Sequence, residues 1–376
     1  MARSRAGFLA ALAALLLGAC ASPSAPPAAA TTTARSSSAP ASSSAAPAPQ
    51  HVTVLATGDV LIHQDLQLTA GARRSDGSYD FSQVLAPVAP MIRAADLAIC
   101  HLETPVAPAG GPYRGYPSFA VQPQIIAALK GAGYDECSTA SNHSLDDGTA
   151  GLVRTLDDLD AAGIGHAGTY RTEAESRTPR ILDVHGVTVA HIAAAYGLNG
   201  AGPPADRPWE VNIAAVPDVS GMLADAARAR RAGAQIVIAS LHCCVEYQHD
   251  PTAAQVAAVH ALLASPDIDL VIGHHAHVVQ PFEKIDGKWV AYGLGNFVAQ
   301  MARQGDPYDE VAARFTFTRG ANGRFTVTTA EAIPVHLQVG AGSDQVVPAD
   351  PAAFARVAEV LGRRGAVAAG LRIVPG

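Results

Sequence analysis

The sequence is poor in basic residues. It has 26 lysines and arginines against 33 aspartates and glutamates in 376 residues, which gives a formal net charge of -7. A chain of this charge offers no positive field that would hold nucleic acid or an anionic membrane surface non-specifically. We therefore expect no nucleic-acid partner.

Cysteine and aromatic residues are also scarce. Of the five cysteines, only Cys243 and Cys244 lie close together, and because they are adjacent the spacing matches no zinc ribbon. This pair could form a vicinal disulfide or remain two buried thiols. Aromatic residues make up 5% of the chain, which leaves few rings to stack a nucleobase and disfavours a nucleotidase.

The amino terminus has the pattern of an export signal, predicted over residues 1–20. Arg3 and Arg5 precede an apolar segment, Phe8–Leu17, that is too short to remain as a membrane-spanning helix. Residues 17–20, Leu-Gly-Ala-Cys, resemble a bacterial lipobox and predict a lipid on Cys20, with ordinary cleavage nearby and a soluble product as the alternative. We thus expect an exported protein that is lipid-anchored to the cell membrane and faces outside the cytoplasm.

The rest of the chain divides into a tether, a domain and an extension. Residues 21–50 are nearly all Ala, Ser, Pro and Thr, a composition that predicts a disordered tether. Apolar runs then alternate with amphipathic segments, without an internal repeat or a second long apolar segment. This alternation predicts an α/β domain over residues 51–340, followed by a C-terminal helical extension over residues 341–376.

Three histidines follow one apolar run. Residues 269–273, Asp-Leu-Val-Ile-Gly, read as a buried strand, and His274, His275 and His277 follow it. In open α/β sheets, ligand sites lie at the carboxyl ends of the strands. His275 and His277 share a face if the backbone is extended, and imidazoles placed in this way suit a divalent transition metal. A solvated histidine-rich turn is the alternative for this segment alone.

Four other predicted strands end in side chains of the same kind. They supply Asp59, Glu103, Asn142 with His143, and His242. An Asn oxygen can bind a metal while the neighbouring His donates a proton, although an Asn-His turn, like a turn capped by Asp59, is the simpler interpretation of either motif alone. The residues that could support the site are His63, Asp146, Glu246, His274 and Asn296.

Together these side chains form a mixed oxygen and nitrogen set that is too large for one closed structural zinc site. The set suits two adjacent divalent ions with open positions for water and substrate. Mn, Fe and Zn all accept such sites. Because two such ions activate water and bind the oxygens of a phosphoryl group, the expected reaction is hydrolysis of a phosphate ester.

Six motifs in a fixed order resemble the CapA family of bacterial capsule, or poly-γ-glutamate, synthesis proteins. This family belongs to the calcineurin-like metallophosphoesterase superfamily. The resemblance covers about residues 52–300. The motifs are Thr57-Gly-Asp-Val, His101-Leu-Glu-Thr, Ser141-Asn-His-Ser-Leu-Asp, Leu241-His-Cys-Cys-Val-Glu-Tyr, Gly273-His-His-Ala-His-Val-Val-Gln-Pro and Gly293-Leu-Gly-Asn-Phe.

The resemblance implies a β-sandwich of two mixed sheets flanked by helices, with metals at the sheet edge. It implies His143 as the general acid or phosphate-binding residue, and as metal ligands it implies Asp59, Glu103, Asn142, His242, His275 and His277. Some positions depart from the pattern. Leu61 stands where the wider superfamily has a His, His101 replaces a frequent Asn, and Cys243-Cys244 replaces a frequent Trp-Gly.

Three functions follow as hypotheses. The first is a lipid-anchored, metal-dependent hydrolase, most simply a phosphoesterase, that makes, anchors or trims a surface polymer. Its substrate could instead carry an amide, since poly-γ-glutamate is joined by amides. The second is a non-catalytic scaffold that binds the polymer or assembly partners, and the third is a general secreted phosphoesterase.

Overall fold

The computed structural model describes residues 51–64, 71–300, 308–340 and 344–376. The predicted signal peptide, the tether and Cys20 lie outside these described residues. Within them, no helix is both long enough and apolar enough to cross a bilayer.

Two mixed β-sheets form the centre of the domain. The strands of the first sheet are β1 (His51–Leu61), β2 (Leu97–Leu102), β3 (Glu136–Ser138), β4 (Gly165–Ala167), β11 (Asn296–Ala299), β12 (Asp309–Arg319), β13 (Phe325–Gln338), β14 (Gln345–Pro348) and β15 (Leu371–Ile373). Its order is β14-β13-β12-β1-β2-β3-β4, with β11 paired to β1 and β15 paired to β13. Strands β1 to β4 are parallel, whereas β12 is antiparallel to both β1 and β13.

The second sheet has six strands. They are β5 (Ile181–Val184), β6 (Val187–Ala195), β7 (Ile236–His242), β8 (Leu270–His274), β9 (Phe282–Ile285) and β10 (Lys288–Ala291). Their order is β5-β6-β7-β8-β10-β9, with parallel pairing from β6 to β10 and antiparallel edge strands. Tight turns at Asp286-Gly287 and at Gly320–Gly323 connect the antiparallel pairs β9-β10 and β12-β13.

Helices flank both sheets. They are α1 (Ser82–Leu85), α2 (Ala89–Arg93), α3 (Gln124–Ala132), α4 (Gly148–Ala162), α5 (Glu173–Ser176), α6 (Ser220–Arg231), α7 (Ala253–Ala264) and α8 (Pro351–Gly362). Helices α1 to α4 share one apolar core with the first sheet, and α6 and α7 share another with the second sheet. This arrangement confirms the prediction of two mixed sheets flanked by helices.

A third core joins the two sheets to each other. Alternate residues of β1, such as Val52 and Val54, pack in it against Ile238 of β7 and Leu270 of β8. Their neighbour Leu55 belongs instead to the core beneath α1 to α4. Because successive side chains of a strand point to opposite faces, β1 is buried on both sides and fixes the spacing between the sheets.

Two parts of the chain differ from the sequence-based expectation. Strand β1 was expected to stop before Asp59 but continues to Leu61, and its pairing with β2 shifts register between Ala56 and Asp59 while β11 pairs alongside. The carboxyl-terminal segment holds the predicted helix and two strands in addition. Short strands β14 and β15 pair with β13, so hydrogen bonding to that long strand draws this segment into the sheet.

The close approach of β1 to the turn before β11 depends on Gly58. The amide of Asp59 donates to the carbonyl oxygen of Gly295 at 2.9 Å, and a Cβ on Gly58 would overlap that same oxygen. A side chain at position 58 would therefore push the two segments apart. Because Asp59 follows directly, the packing of Gly58 also places that carboxylate.

We predict that Gly58→Ala lowers the free energy of unfolding by about 2 to 3 kcal/mol, since the added methyl group meets backbone that cannot rotate away. Gly131→Ala is the matched control, because Gly131 lies in α3 with open space around it, and a change within about 1 kcal/mol is expected there. Urea unfolding of both variants measures the difference. Equal stability of the Gly58→Ala variant and the wild type would contradict this account.

Candidate metal centre

The carboxyl ends of two strands in each sheet meet at one edge of the sandwich. In the first sheet, Asp59 of β1 is paired in register with His101 of β2. In the second, His242 of β7 is paired with His274 of β8. Across the gap, His101 Nε2 lies 2.9 Å from His242 Nδ1, and His274 Nδ1 lies 3.2 Å from Asp59 Oδ1. The two sheets therefore present four buried polar side chains to one another.

Two groups of three side chains in the described residues could each hold an ion. One consists of Asp59, His101 and His274, and the other of Glu103, His275 and His277. In each group the ligating atoms lie within 4.8 Å of one another, and all six residues are buried. Mixed carboxylate and imidazole groups of this kind suit divalent transition metals.

Unsatisfied atoms in both groups support this assignment. Both carboxylate oxygens of Glu103 are buried without a hydrogen-bond partner in the described part of the chain, as are Nδ1 of His275 and Nε2 of the adjacent His274. Buried polar atoms are normally paired, because leaving them unpaired costs free energy. One divalent cation in each group would satisfy these four atoms, so the residues fit the metals that the sequence predicts.

Burial and neighbouring charges set the protonation of these groups in the protein without a bound ion. Burial raises the pKa of Glu103 to about 7. Burial alone would lower the pKa of His277, but the carboxylates of Glu103 and Asp59 outweigh it and raise that pKa to about 9. Burial lowers the pKa of His275 to about 3 and those of His101 and His242 well below their usual range. His277 thus holds a proton at neutral pH, whereas the other three imidazoles are neutral.

His275 and His277 reach the site by a different backbone route from the predicted one. Strand β8 ends at His274, and His275 and His277 have φ values of 84° and 53°, in the left-handed region that few non-glycine residues adopt. They do not share the face of an extended strand. A tight bend places their ring centroids 5.8 Å apart, and the His275 amide donates to Asp59 Oδ2 at 3.1 Å. Strained backbone of this kind is concentrated at functional sites.

Asn142 and His242 lie beside the two groups. Asn142 Oδ1 is 2.7 Å from His242 Nε2, which lies 3.9 Å from Glu103 Oε1. The Asn142 loop is tied to Glu103 through Ser141, whose hydroxyl donates to the Glu103 carbonyl oxygen at 2.5 Å. The structure therefore brings all six predicted ligands together, and their roles as ligands stay a prediction.

His101 and His274 belong to the centre, although neither was predicted as a ligand from the sequence. His101 was noted only as a replacement for Asn, and His274 only as a supporting residue. The available signal was strand alternation, since His101 lies two residues before Glu103 and therefore on the same face of the chain. Its Nδ1 lies 2.7 Å from Ser138 Oγ on the neighbouring strand, which orients the ring.

His143 lies at the edge of the centre and is paired with a carboxylate. Its Nδ1 is 2.7 Å from Asp146 Oδ2, and the same oxygen accepts the Phe119 amide at 2.8 Å. The Phe119 ring meets the imidazole edge to face, with centroids 4.8 Å apart. The short contact to Asp146 assigns the Nδ1 proton of His143 to that bond, which leaves Nε2 for another partner.

The remaining supporting residues occupy three different positions. His63 lies near His143 rather than in either group, with its ring 5.2 Å from Phe119, and burial lowers its pKa to about 4. Asn296 Oδ1 is 2.8 Å from His277 Nδ1 and orients that ring. Glu246 is half-buried after β7, and its charge helps to raise the pKa of His277.

The cysteines of the domain are paired as two disulfides. Cys243 and Cys244, directly after His242, form the vicinal disulfide that the sequence left open against two free thiols. Cys100 and Cys137 are partners in register on β2 and β3 and form the second disulfide. Both bonds are adjacent in sequence to residues of the centre.

Fold and site together define an α/β sandwich protein with a candidate two-metal centre. The chain matches the family described as "Bacterial capsule synthesis protein PGA_cap" over residues 53–301, well over half of its length. The chain therefore belongs to the bacterial capsule synthesis protein PGA_cap family, and the CapA-family resemblance is confirmed.

Two relatives and one solved structure illustrate the likeness. The chain is 25% identical over 278 residues to the PGA biosynthesis protein CapA of Bacillus subtilis, covering 72% of this chain and 69% of that protein. It is 27% identical over 176 residues to the capsule biosynthesis protein CapA of Bacillus anthracis, covering 46% of this chain and 42% of that protein. The calcineurin-like phosphoesterase YfkN from Bacillus subtilis aligns with a TM-score of 0.43 and 17% identity, covering 76% of this chain and 90% of that chain.

We predict that metal uptake releases protons at neutral pH. His277, with a pKa of about 9, must lose its proton to act as a ligand, and Glu103, with a pKa of about 7, is half protonated at pH 7. Loading should thus release roughly one to one and a half protons per chain at pH 7, and affinity should rise with pH toward 9. Titration calorimetry of chelator-stripped protein with Mn²⁺, in buffers of different ionisation enthalpy, measures the release.

His277→Gln should abolish most of this proton release. His260→Gln is the control, since His260 is exposed on α7. Mn²⁺ binding with no proton release by the wild type at pH 7, or with the same release by the His277→Gln variant, would refute the prediction.

Proposed function

We propose that this chain is a metal-dependent hydrolase of phosphoester bonds that acts in capsule or poly-γ-glutamate synthesis from a lipid anchor outside the cytoplasm. One observation carries the enzymatic part of the proposal. A hydrogen-bonded pair, His143 and Asp146, stands at the edge of two buried groups of carboxylate and imidazole, in which four polar atoms of Glu103, His274 and His275 lack partners among the described residues. A metal site with only a structural role would need the two groups of ligands, but it would not need the pair of His143 and Asp146.

The proposed chemistry divides between the ions and the protein. Divalent ions, when bound, supply Lewis acidity toward a phosphoryl oxygen and activate water. The predicted ligands Asp59, Glu103, Asn142, His242, His275 and His277, with His101 and His274, would hold them. The bond from phosphorus to the water oxygen forms as the bond to the leaving oxygen breaks, and His143 gives the proton on Nε2 to that oxygen. Asp146 holds the ring through Nδ1.

The biological part of the proposal has separate support. The chain belongs to the capsule synthesis family, and the names of both Bacillus relatives refer to biosynthesis of PGA or capsule. The anchored location rests on the Leu-Gly-Ala-Cys segment that ends at Cys20.

We predict that Cys20→Ser moves the protein from the membrane fraction to the soluble exported fraction, because one lipid-bearing cysteine is the proposed attachment. Fractionation of cells that produce either form measures the distribution. Ser22→Ala is the control in the same segment. A Cys20→Ser protein that stays in the membrane fraction would exclude the lipid anchor.

We further predict that His143→Ala lowers hydrolysis of bis(4-nitrophenyl) phosphate by about 10²- to 10⁴-fold while metal content stays unchanged, since the proton donor is removed but neither group of three is touched. Glu103→Gln should lose metal and activity together. Elemental analysis and turnover of full-length protein in detergent measure both, with His260→Ala as the matched control.

Three outcomes of this experiment decide between the hypotheses. Wild-type protein that binds metal but cleaves neither phosphodiesters nor phosphomonoesters would refute the phosphoesterase and direct attention to amide bonds or polymer binding. A His143→Ala variant with unchanged turnover would remove that residue from the mechanism. A wild type that binds no metal would favour the scaffold.

A further inference from the structure

A two-residue turn places Asn199 over the metal centre. The amide of Ala201 donates to the carbonyl oxygen of Leu198 at 2.8 Å, and the two central residues, Asn199 and Gly200, have φ values of 49° and 83°. Positive φ at both central residues is the arrangement of a type I′ turn. Leu198 is buried and anchors the turn, whereas Asn199 is exposed at its tip.

The carboxamide of Asn199 contacts both members of the Asn142-His143 motif. Its Oδ1 accepts the Asn142 Nδ2 proton at 2.9 Å, and its Nδ2 lies 3.4 Å from His143 Nδ1. The turn belongs to the segment between β6 and α6, so a residue 56 positions further along the chain than His143 connects the predicted ligand with the predicted proton donor.

We propose that Asn199 is a positioning residue for this site, an inference that rests on the proposed hydrolase function. Because Asn142 donates through Nδ2 to Asn199, its Oδ1 is directed toward His242 Nε2, at 2.7 Å, and the second group of three. Only this oxygen of the Asn142 side chain can bind a cation. Removing Asn199 leaves the amide of Asn142 free to rotate and to turn its nitrogen toward the centre.

Asn199 also limits the position of the His143 ring. Asp146 holds Nδ1 at 2.7 Å, Phe119 packs edge to face at 4.8 Å, and the Asn199 amide borders the ring beside Nδ1. These three contacts come from separate segments of the chain. They limit movement of the ring and leave Nε2, which has no hydrogen bond within the described residues, available to a leaving group.

A simpler role for Asn199 is to form the turn, since Asn and Gly are the residues that best tolerate positive φ. The two roles can be separated by substitution. Asn199→Gly keeps the backbone preference of the turn and removes only the carboxamide. Asn322→Gly is the matched control, because Asn322 lies in the β12-β13 hairpin and its side chain accepts a hydrogen bond from the nearby Arg324 amide, the one hydrogen bond that it makes within the described residues.

The first test measures metal affinity independently of turnover. Mn²⁺ is titrated into chelator-stripped full-length protein in detergent. Outer contacts that orient metal ligands are typically worth about 10- to 100-fold in affinity, so Asn199→Gly should weaken Mn²⁺ binding by about tenfold. Asn322→Gly should leave it within about twofold of the wild-type value.

The second test measures proton donation through a series of aryl phosphodiesters. A phenyl leaving group needs a proton, whereas a 2,4-dinitrophenyl leaving group departs without one. Asn199→Gly should therefore lower kcat for the phenyl ester by about tenfold more than for the dinitrophenyl ester. A residue with only a structural role would lower both rates equally.

The outcomes distinguish this inference from the proposed function. If the wild type cleaves no phosphoester, the hydrolase fails, and the Mn²⁺ titration alone still decides whether Asn199 positions Asn142. Unchanged Mn²⁺ affinity together with an equal effect on all leaving groups would overturn the positioning role. The positioning role would also be overturned if the Asn322→Gly control showed the same weakening of Mn²⁺ binding or the same selective loss of kcat for the phenyl ester.

Discussion

The structure depends on the apolar core between the two sheets. This core brings the carboxyl ends of parallel strands from both sheets to the same edge. Residues such as Val54 and Ile238 pack in the core between the sheets. This packing places Asp59 and His101 of one sheet in contact with His274 and His242 of the other. Carboxylates and imidazoles buried in this way are costly unless each has a partner. Although burial opposes its ionisation, hydrogen bonds from His274 and His277 hold the pKa of Asp59 well below its usual range. Among the described residues, the Glu103 carboxylate accepts no such hydrogen bond, and a bound cation would supply the missing partner.

The sequence predicted the strands and their polar ends because both signals are local. Apolar runs that end at Asp59, Glu103, Asn142, His242 and the three histidines after Gly273 can be read without knowledge of the fold. The pairing between these ends could not be predicted in the same way. The contact between Asp59 and His274 spans 215 residues, and a strand pattern does not specify which strands will face each other.

Local backbone geometry explains the other differences. The prediction that His275 and His277 share a strand face assumed an extended chain, but both residues adopt positive φ. Strand β1 passes through Asp59 because Gly58 lets it approach Gly295, and glycine in the sequence indicates only that such an approach is allowed. The sequence around Asn199 contains only an Asn-Gly pair, which predicts a turn but does not indicate a role in the site. Its contacts with Asn142 and His143 depend on how a crossover segment folds back over the edge.

The strand ends and the loops contribute different side chains to the site. The two groups of three are built on strand ends and the bend after β8, where packing fixes the side chains. His143 and its neighbours lie on loops, with Asp146 held by the Phe119 amide and Asn142 held by the Asn199 turn. In the proposed hydrolase the strands would hold the ions, and the loops would contact the substrate and supply the proton.

The most direct measurement of the central claim is anomalous X-ray diffraction from crystals of full-length protein grown with Mn²⁺. The account predicts two anomalous peaks, one bounded by Glu103, His275 and His277 and the other bounded by Asp59, His101 and His274. Peaks that appear only away from these side chains, or no peak at the sheet edge when Mn²⁺ is present in excess, would contradict it.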